Sequence, residues 1–464
     1  MVGHPGRLRA KSTHDETASG VGGHDAEMLR RPLVPFVVLA LTAAACGGSD
    51  DEAGDTTEAA ATTETTAPAT TAPATTVPET TAPATSETTA PATTVSETTV
   101  PETSPASTAP PTTEPATPFI PVADGPYEVG VQTITLDDDP ERPLTVDVWY
   151  PLDAGFDAAA ASPMQYTLLP GVFYESPGAF AAAPDAISTD GPFPLVVYSH
   201  GSGGLRYIHS AYTEALASHG FVVAAPDHTG NTAIDRIAGA GDDPAVISFN
   251  RPNDVTRVID AMTDPSNPSA GPVATHVDGE QVVVTGHSFG GFTTIAMVTG
   301  FTNELGEFAA DDRVDAIVPL APAVSANAFS DETLATIDVP MMIVVGADDV
   351  TTPVDPNVTR LWDNASASSP AYRVELVAGE HQSFTDICAY QDAVGSLPDV
   401  PAVVTETIDA YAVEGCSDGD MDPARVAELL DTYVLAFLDE VLAGGPTVLE
   451  ATGNPPDDVV FDAR

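Results

Sequence analysis

Hydrophobic and polar residues alternate with two different periods between residue 127 and the end of this chain. Alternating positions over residues 127–136 and 144–150 predict two strands that pair antiparallel at the opening edge of a sheet. After them, short apolar runs are separated by longer segments of helical period. This succession predicts an α/β fold, a mostly parallel central sheet flanked by helices. The predicted strands are 194–198, 221–225, 282–285, 314–320, 339–345 and 372–377, and the predicted helices are 208–218, 252–262 and 423–442.

Residues 153–192 interrupt this regular succession. They are rich in alanine and proline, with scattered aromatic side chains and no clear period. One hypothesis is that this segment lines a cleft beside the sheet.

The composition changes sharply near residue 118. Residues 46–118 consist mainly of Thr, Ala, Pro and Glu, with too few apolar side chains to build a core. They are predicted to form a disordered, partly polyproline-II tether, and at ~3.1 Å per residue the tether could extend about 200 Å. A spacer and a passive tail are both open interpretations. Residues 119–464 are predicted to form the one large globular domain.

An export signal is predicted in front of the tether. Two arginines precede the apolar run 33–41, and three alanines follow it directly before Cys46. This order is typical of a signal peptide over residues 28–45, with translation starting at Met28 and residues 1–27 as a mis-assigned extension. A bacterial lipoprotein signal would lipidate Cys46, and an ordinary signal peptidase would cut at the same bond. Either route predicts an extracytoplasmic protein that meets a membrane only through an N-terminal lipid anchor.

The charge of the chain limits its partners. With 68 acidic and 15 basic residues the formal charge is −53, and the single lysine is Lys11. Such a surface repels nucleic acids and anionic membranes, so no nucleic-acid partner is expected. A monomer is expected.

Candidate chemistry begins at the end of strand 282–285. The chain there runs through Gly286, His287, Ser288, Phe289 and Gly290 into an apolar helical segment. A Gly-x-Ser-x-Gly turn between a strand and a helix lifts the serine hydroxyl above the carboxyl edge of the sheet. The two glycines permit the tight turn, and the helix N-terminus directs free N–H groups at developing negative charge. Ser288 is therefore the candidate nucleophile.

A base and an acid for this serine follow two later strands. Asp348 and Asp349 come directly after one buried strand, and His381 comes after the next. The carboxyl ends of parallel strands meet at one edge of a sheet, and the chain order Ser, Asp, His is the one typical of this fold. His381 is expected to take the proton of Ser288, while a carboxylate holds its tautomer.

The other histidines have simpler interpretations. His200 and His228 follow predicted strands, and His287 fills the variable position of the turn. We expect His200 and His228 to hydrogen-bond loops, and none of the three side chains is expected to contact substrate. No group of His, Cys and carboxylate residues has the spacing of a zinc site, so no metal and no other cofactor is expected.

Two cysteines remain once Cys46 is assigned to the signal. Cys388 and Cys416 belong to a chain that is predicted to be exported, where a cysteine pair is expected to form a disulfide. The bridge would close residues 389–415, a segment with weak packing signals, shortly after His381. Two separate buried thiols are the alternative.

Four stretches of the sequence carry a family resemblance, and they are 194–204, 217–228, 286–291 and 381–386. Together they resemble the platelet-activating-factor acetylhydrolase group of α/β-hydrolases. The resemblance covers roughly residues 126–443 and implies the α/β-hydrolase fold. The resemblance also implies roles for single residues. Ser288 would be the nucleophile, His381 the base, and the backbone N–H groups of Ser202 and Phe289 the oxyanion hole.

The chain departs from this group in the position of the acid. The acetylhydrolases carry their acid after the strand that follows the Gly-x-Ser-x-Gly turn, where this chain has no carboxylate over residues 320–323. The cutinase-like polyester hydrolases also resemble this chain over residues 317–322 and 346–353, and they imply that the acid is Asp349. Asp349 is favoured over Asp348 because Asp349 and Pro353 fit the Asp-x-x-x-Pro pattern common in such loops.

Three functional hypotheses follow. The first is an extracytoplasmic serine carboxylic-ester hydrolase that acts on short-acyl, phospholipid-like small esters. The second is a cutinase-like hydrolase of polymeric esters. The third is a catalytically silent binding module, against which the intact Ser288, Asp349 and His381 argue.

Overall fold

The computed structural model describes residues 117–169, 171–182, 184–398 and 400–464. The predicted signal peptide, the lipidation site Cys46 and the tether up to residue 116 lie outside the described residues.

The described chain contains one large sheet and one small hairpin. Eleven strands form the large sheet in the order β13-β12-β11-β10-β7-β5-β6-β2-β1-β4-β3, and β8 pairs with β9. The strands are β1 Val129–Leu136, β2 Leu144–Pro151, β3 Pro163–Leu169, β4 Val172–Ala181, β5 Phe193–Ser199, β6 Val222–Pro226, β7 Val277–His287, β8 Phe301–Asn303, β9 Gly306–Phe308, β10 Val314–Leu320, β11 Met341–Gly346, β12 Ala371–Leu376 and β13 Val459–Ala463.

The middle of the large sheet is parallel. Strands β6, β5, β7, β10, β11 and β12 pair parallel with one another, whereas β13 and β2 border this block as antiparallel strands. Their apolar runs suit this position, because helices cover both faces of a parallel sheet and leave no face for polar side chains. The predicted fold class is therefore confirmed.

Helices lie on both faces of the sheet, and each face has its own core. On β5, Val196 and Tyr198 belong to the core that includes residues of α1 and α9, while Leu195 and Val197 belong to the core that includes residues of α3 and α4. The helices are α1 Ser210–Ser218, α2 Ala233–Ala238, α3 Pro244–Thr263, α4 Phe289–Thr299, α5 Asp331–Leu334, α6 Thr359–Asn364, α7 Ile387–Gly395, α8 Ala402–Ala412, α9 Pro423–Leu438 and α10 Val448–Thr452.

Residues 153–192 contribute two strands to the sheet that their sequence pattern does not predict. Part of the segment folds into the antiparallel pair β3 and β4, and β4 adds to β1 in parallel. The prediction that β1 and β2 form the edge of the sheet is therefore wrong, because β3 is the edge strand. The buried side chain of Tyr166 on β3 stacks on Tyr207, which ties the hairpin to the domain.

The helix predicted at 252–262 begins eight residues earlier than expected. Helix α3 starts at Pro244, and Pro252 lies inside it. Proline favours the first turn of a helix, so Pro252 suggested a start, but Pro244 already occupies that position. Strand β13 was not predicted, and the closing helix ends as an α-helix at Leu438 and continues as one π-helical turn.

None of the helices in the described ranges combines the length and the apolar character that a membrane span requires.

Candidate active site

Ser288 lies at a strained turn between β7 and α4. The strand ends at His287 and the helix begins at Phe289, and Ser288 between them has φ 59° and ψ −113°. A positive φ is unfavourable for a residue with a side chain and persists only where the surroundings enforce it. Here the turn packs so closely under the end of β5 that a Cβ on Gly290 would collide with the carbonyl of Ser199. This geometry aims the serine side chain away from the sheet.

Ser288, His381 and Asp349 form a continuous hydrogen-bonded chain. The Oγ atom of Ser288 lies 2.9 Å from Nε2 of His381, and Nδ1 of His381 lies 2.8 Å from Oδ2 of Asp349. The imidazole is 3% exposed and the aspartate 4%, so the chain is shielded from water except at the serine. An imidazole held in this way can remove a proton from the hydroxyl.

The structure separates the two candidate acids. Asp348 is exposed, whereas Asp349 is buried. The backbone N–H of Thr352 donates to Oδ1 of Asp349 over 2.7 Å, and the Thr352 hydroxyl lies 2.8 Å from Oδ2. Burial raises the pKa of Asp349, but hydrogen bonds from His381 and Thr352 outweigh it and hold the pKa below its usual range. Asp349 is thus a carboxylate beside His381.

Two further residues, His287 and Thr352, hold this chain in position, and their sequence pattern does not indicate these roles. Nε2 of His287 lies 2.8 Å from the carbonyl oxygen of His381, and burial lowers the pKa of His287 well below its usual value. The neutral His287 ring therefore donates a hydrogen bond to the backbone of the loop that carries His381. The Thr352 hydroxyl lies 2.9 Å from the carbonyl of Ala321, which follows β10. His287 is far from His381 in the sequence, and Thr352 is far from Ala321, so only the tertiary structure brings each pair together.

The loop that follows His381 is anchored to helix α1. The backbone N–H of Asp386 donates to the carbonyl of Ile208 over 2.8 Å. The Asp386 carboxylate accepts from the Ser210 hydroxyl at 2.5 Å and from the N–H of Ala211 at 3.0 Å. Burial raises the pKa of Asp386 to about 6. The first turn of α1 therefore fixes the far end of the His381 loop.

The loop after β5 lies against the nucleophile. A Cβ on Gly201 would lie 3.4 Å from Cβ of Ser288, so the backbone of this loop borders the serine directly. Within the described ranges, the backbone N–H groups of Ser202 and Phe289 have no backbone hydrogen-bond partner. Both N–H groups are thus available to an incoming oxygen atom.

Arg251 contacts the loop after β5 from the interior of the domain. Its guanidinium donates to the carbonyl of His200 and, over 3.1 Å, to the hydroxyl of Ser199, and it lies 5.0 Å from the ring centroid of Phe289. Arg251 is fully buried. One side chain therefore contacts both segments that carry the expected oxyanion donors. Nothing in the sequence around Arg251 indicates this role.

A second Ser-His-Asp chain lies beneath the first. The hydroxyl of Ser199 is 2.9 Å from Nε2 of His228, whose Nδ1 is 3.0 Å from Oδ2 of Asp254. All three residues are at most 1% exposed, so no substrate can reach Ser199. Burial lowers the pKa of His228 well below its usual value, which keeps the ring neutral. His228 thus hydrogen-bonds the base of the loop, as does His200, whose Nδ1 lies 2.7 Å from the carbonyl of Gly201.

Cys388 and Cys416 are joined by a disulfide, with a sequence separation of 28. The bridge connects α7 to the residues after α8. The closed segment contacts the histidine loop, because the N–H of Gln382 donates to the carbonyl of Glu414 over 2.6 Å. In the described residues no group of three or more His, Cys, Asp and Glu side chains could hold a metal ion.

Two family models match parts of this chain. The model described as platelet-activating factor acetylhydrolase, isoform II, matches residues 173–239, and the model described as PET hydrolase-like matches residues 208–392. The second range contains Ser288, Asp349 and His381.

Curated relatives match over short segments. The platelet-activating factor acetylhydrolase of Bos taurus is 43% identical over 63 residues, which cover 14% of this chain and 14% of that protein. The protein of the same name from Cavia porcellus is 47% identical over 47 residues, 10% of this chain and 11% of that protein. The chain thus spans no more than 14% of the length of these relatives.

A solved structure matches over a much larger part of the chain. The ferulic acid esterase from Streptomyces cinnamoneus superposes with a TM-score of 0.52 and 24% sequence identity, covering 74% of this chain and 98% of that one. This likeness shows a shared fold.

Proposed function

We propose that this α/β-hydrolase, a member of the platelet-activating-factor acetylhydrolase and PET hydrolase-like group, is a serine carboxylic-ester hydrolase. The observation that carries the proposal is the hydrogen-bonded chain from Ser288 through His381 to Asp349 at the carboxyl edge of the sheet. The names of the matched families and of the structural neighbour, an acetylhydrolase, a PET hydrolase and a ferulic acid esterase, support the same reaction class.

The proposed reaction proceeds through an acyl-enzyme. Oγ of Ser288 attacks the ester carbonyl carbon while Nε2 of His381 takes its proton, and the N–H groups of Ser202 and Phe289 stabilise the oxyanion. When the bond to the alcohol breaks, His381 returns the proton to the leaving oxygen. Water then attacks the acyl group with His381 again as base, which releases the acid and restores Ser288. Asp349 stabilises the imidazolium in both halves.

The experiment that tests this reaction uses a fluorophosphonate probe and p-nitrophenyl esters. We expect the probe to label the wild-type protein and not Ser288→Ala, and Ser288→Ala and His381→Ala each to lose nearly all esterase activity. Circular dichroism of both variants checks that they fold. A folded wild-type protein that the probe does not label would support the silent binding module instead.

The proposed substrates are short-acyl esters of the kind that acetylhydrolases cleave. A polyester substrate is a second candidate. It is supported by the PET hydrolase-like match, which covers all three residues of the hydrogen-bonded chain, whereas the other match covers none of them. Rates on p-nitrophenyl esters of increasing acyl length, compared with release of monomer from a polyester film, decide between them.

The proposed place of action is outside the cytoplasm, at a membrane surface. The basic, apolar and alanine pattern in front of Cys46 supports a lipid anchor on that residue. Cys46→Ser should release the protein into the medium. Mass spectrometry that finds an unmodified N-terminal Cys46 in the native host would contradict the anchor.

A further inference from the structure

Arg236 lies directly on the loop that borders the nucleophile. Its Nη2 donates to the hydroxyl of Ser202 over 2.8 Å, and its Nη1 donates to the hydroxyl of Tyr411 over 2.7 Å. Gly203 has φ 70°, and a Cβ there would lie 2.6 Å from Cδ of Arg236. The absence of a side chain at Gly203 therefore makes room for this arginine against the loop backbone.

Arg236 is an exposed cation that lacks a carboxylate partner. Of the ten arginines in the described residues, seven have a carboxylate oxygen within 4 Å. Arg251 is fully buried, and Arg464 donates to two backbone carbonyls. For Arg236, no described carboxylate lies within that distance, although the chain carries a formal charge of −53. A solvent-facing arginine that keeps its charge available on such a surface is suited to an external anion.

The distance to the nucleophile suits a substrate group. Gly201 borders Ser288, and Arg236 contacts the loop one and two residues further on, at Ser202 and Gly203. Consecutive Cα atoms are about 3.8 Å apart, so the guanidinium lies on the order of 10 Å from the serine. That span corresponds to an acyl chain of several carbon atoms.

Carboxylates surround Glu380, the residue before His381. The pKa of Glu380 is raised by burial and then by the nearby carboxylates of Asp420, Glu414 and Asp348. In the proposed reaction His381 returns its proton to the leaving alcohol, so the leaving oxygen lies beside the loop that carries Glu380. An anionic group is disfavoured there and favoured beside Arg236.

We infer that Arg236 binds an anionic group, such as a carboxylate, at the far end of the acyl half of the substrate. The preferred substrates are then esters of acyl groups that end in an acid, for example half-esters of dicarboxylic acids. This inference rests on the proposed ester hydrolysis at Ser288 and names the substrate class for that site. The hydrogen bonds to the Tyr411 hydroxyl and the Ser202 hydroxyl fix the position of the guanidinium fork.

The test compares two esters of equal acyl length, p-nitrophenyl hydrogen adipate and p-nitrophenyl hexanoate. In the wild-type protein the ratio of kcat/KM for adipate to that for hexanoate should exceed the ratio in Arg236→Gln by about ten- to a hundredfold, the range of a charge-assisted hydrogen bond. The change should lie mainly in KM, should shrink at high salt because the charges are screened, and should be partly restored in Arg236→Lys.

Arg313→Gln is the matched control. It removes the same charge from a half-exposed arginine that precedes β10, at the edge of the sheet opposite the nucleophile. This variant should keep the wild-type ratio. If Arg236→Gln lowers kcat/KM for both esters equally, Arg236 only holds Ser202 and Tyr411 in place, and the inference is overturned. A preference for 4-carboxyphenyl hexanoate over phenyl hexanoate that depends on Arg236 would place the anion in the alcohol half and overturn it as well.

A binding measurement separates this inference from the proposed reaction. Ser288→Ala should bind p-nitrophenyl hydrogen adipate in a calorimetric titration at least tenfold more tightly than Ser288→Ala combined with Arg236→Gln. Equal binding by the two proteins contradicts the role of Arg236, whatever the esterase activity. A wild-type protein that binds the adipate through Arg236 but hydrolyses no ester contradicts the proposed reaction alone.

Discussion

Asp348 and Asp349 are neighbours in sequence with different surroundings. Asp349 is buried, lies 2.8 Å from Nδ1 of His381 and accepts from the backbone of Thr352, while Asp348 is exposed. We predict that Asp349→Asn lowers kcat on the order of 10⁴-fold, because an amide at this position favours the wrong imidazole tautomer. Steady-state kinetics on a p-nitrophenyl ester measure the loss.

Asp348→Asn is the matched control for this prediction. It changes the same functional group one residue away and should lower kcat by less than about tenfold, since exposed substitutions that touch no buried group have small effects. If Asp348→Asn proves the more damaging of the two, the acid is not Asp349.

At the scale of residues, chain order carried most of the information about the site. Strand ends place Ser288, Asp349 and His381 at one edge of a parallel sheet, so their proximity could be expected from sequence, whereas their catalytic roles stay predictions. The contacts of His287 and Arg251 could not be expected, because each depends on distances between segments far apart in the chain. An arginine within a helix and a histidine in a turn have no pattern that specifies a partner.

At the scale of elements, the parallel strands were predictable because each is a short apolar run. Hairpin β3 and β4 was not, because Pro177 and Gly178 interrupt the pattern of β4 and only a few of its side chains are buried. Strand β13 follows the closing helix at the C-terminus, and it pairs with the edge of β12. An edge strand of five residues carries too little apolar pattern to be recognised from sequence.

Glu214 on α1 links that helix to hairpin β3 and β4. Its carboxylate accepts from the Tyr166 hydroxyl at 2.7 Å and from the Ser176 hydroxyl at 2.8 Å. Burial raises the pKa of Glu214 from 4.5 to about 7, against the opposing effect of these hydrogen bonds. Because the pKa of Glu214 is higher in the folded state than in the unfolded state, protonated Glu214 adds to the free energy of unfolding. This contribution is complete below pH 4.5 and is lost as the pH rises through about 7.

We therefore predict that Glu214→Gln flattens the dependence of stability on pH. Between pH 4.5 and pH 8 the wild-type free energy of unfolding should fall by up to roughly 3 kcal/mol more than that of the variant. Urea denaturation at several pH values measures the difference. The exposed Glu332→Gln is the control and should follow the wild-type profile. Parallel profiles for Glu214→Gln and wild type would contradict a protonated Glu214.

The disulfide closes α7, α8 and the turn that contacts the histidine loop. A bridge with a sequence separation of 28 constrains the unfolded chain, which corresponds to about 3 to 4 kcal/mol on the loop-entropy estimate. We predict that Cys388→Ser combined with Cys416→Ser lowers Tm by several degrees. It should also lower kcat, because the carbonyl of Glu414 accepts from Gln382, the residue after His381. Calorimetry and esterase kinetics of the double variant measure both effects.

Two outcomes would contradict this account of the disulfide. Free thiols at both Cys388 and Cys416 in the denatured, unreduced protein would show that no bridge forms. A double variant with wild-type kcat and a lowered Tm would show that the bridge stabilises the domain without steadying the His381 loop.

At the scale of the whole molecule, charge repulsion is the dominant long-range force. The formal charge is −53, and most of the excess acidic residues belong to the described part of the chain. Most described arginines already pair with carboxylates, so the remaining carboxylates repel one another without a compensating cation. Unfolding relieves this repulsion because it increases the distances between the charges.

Salt should therefore stabilise this protein at neutral pH. Raising NaCl from about 0.1 M to 1 M shortens the Debye length from about 10 Å to about 3 Å, which screens the many repulsions more than the few surface ion pairs. We predict that Tm at pH 8 rises by several degrees over this range. Near the calculated pI of about 4.1 the net charge is close to zero, so the same salt increase at pH 4.1 should raise Tm much less. Equal increases at the two pH values would mean that salt acts through general exclusion from the protein surface rather than through screening.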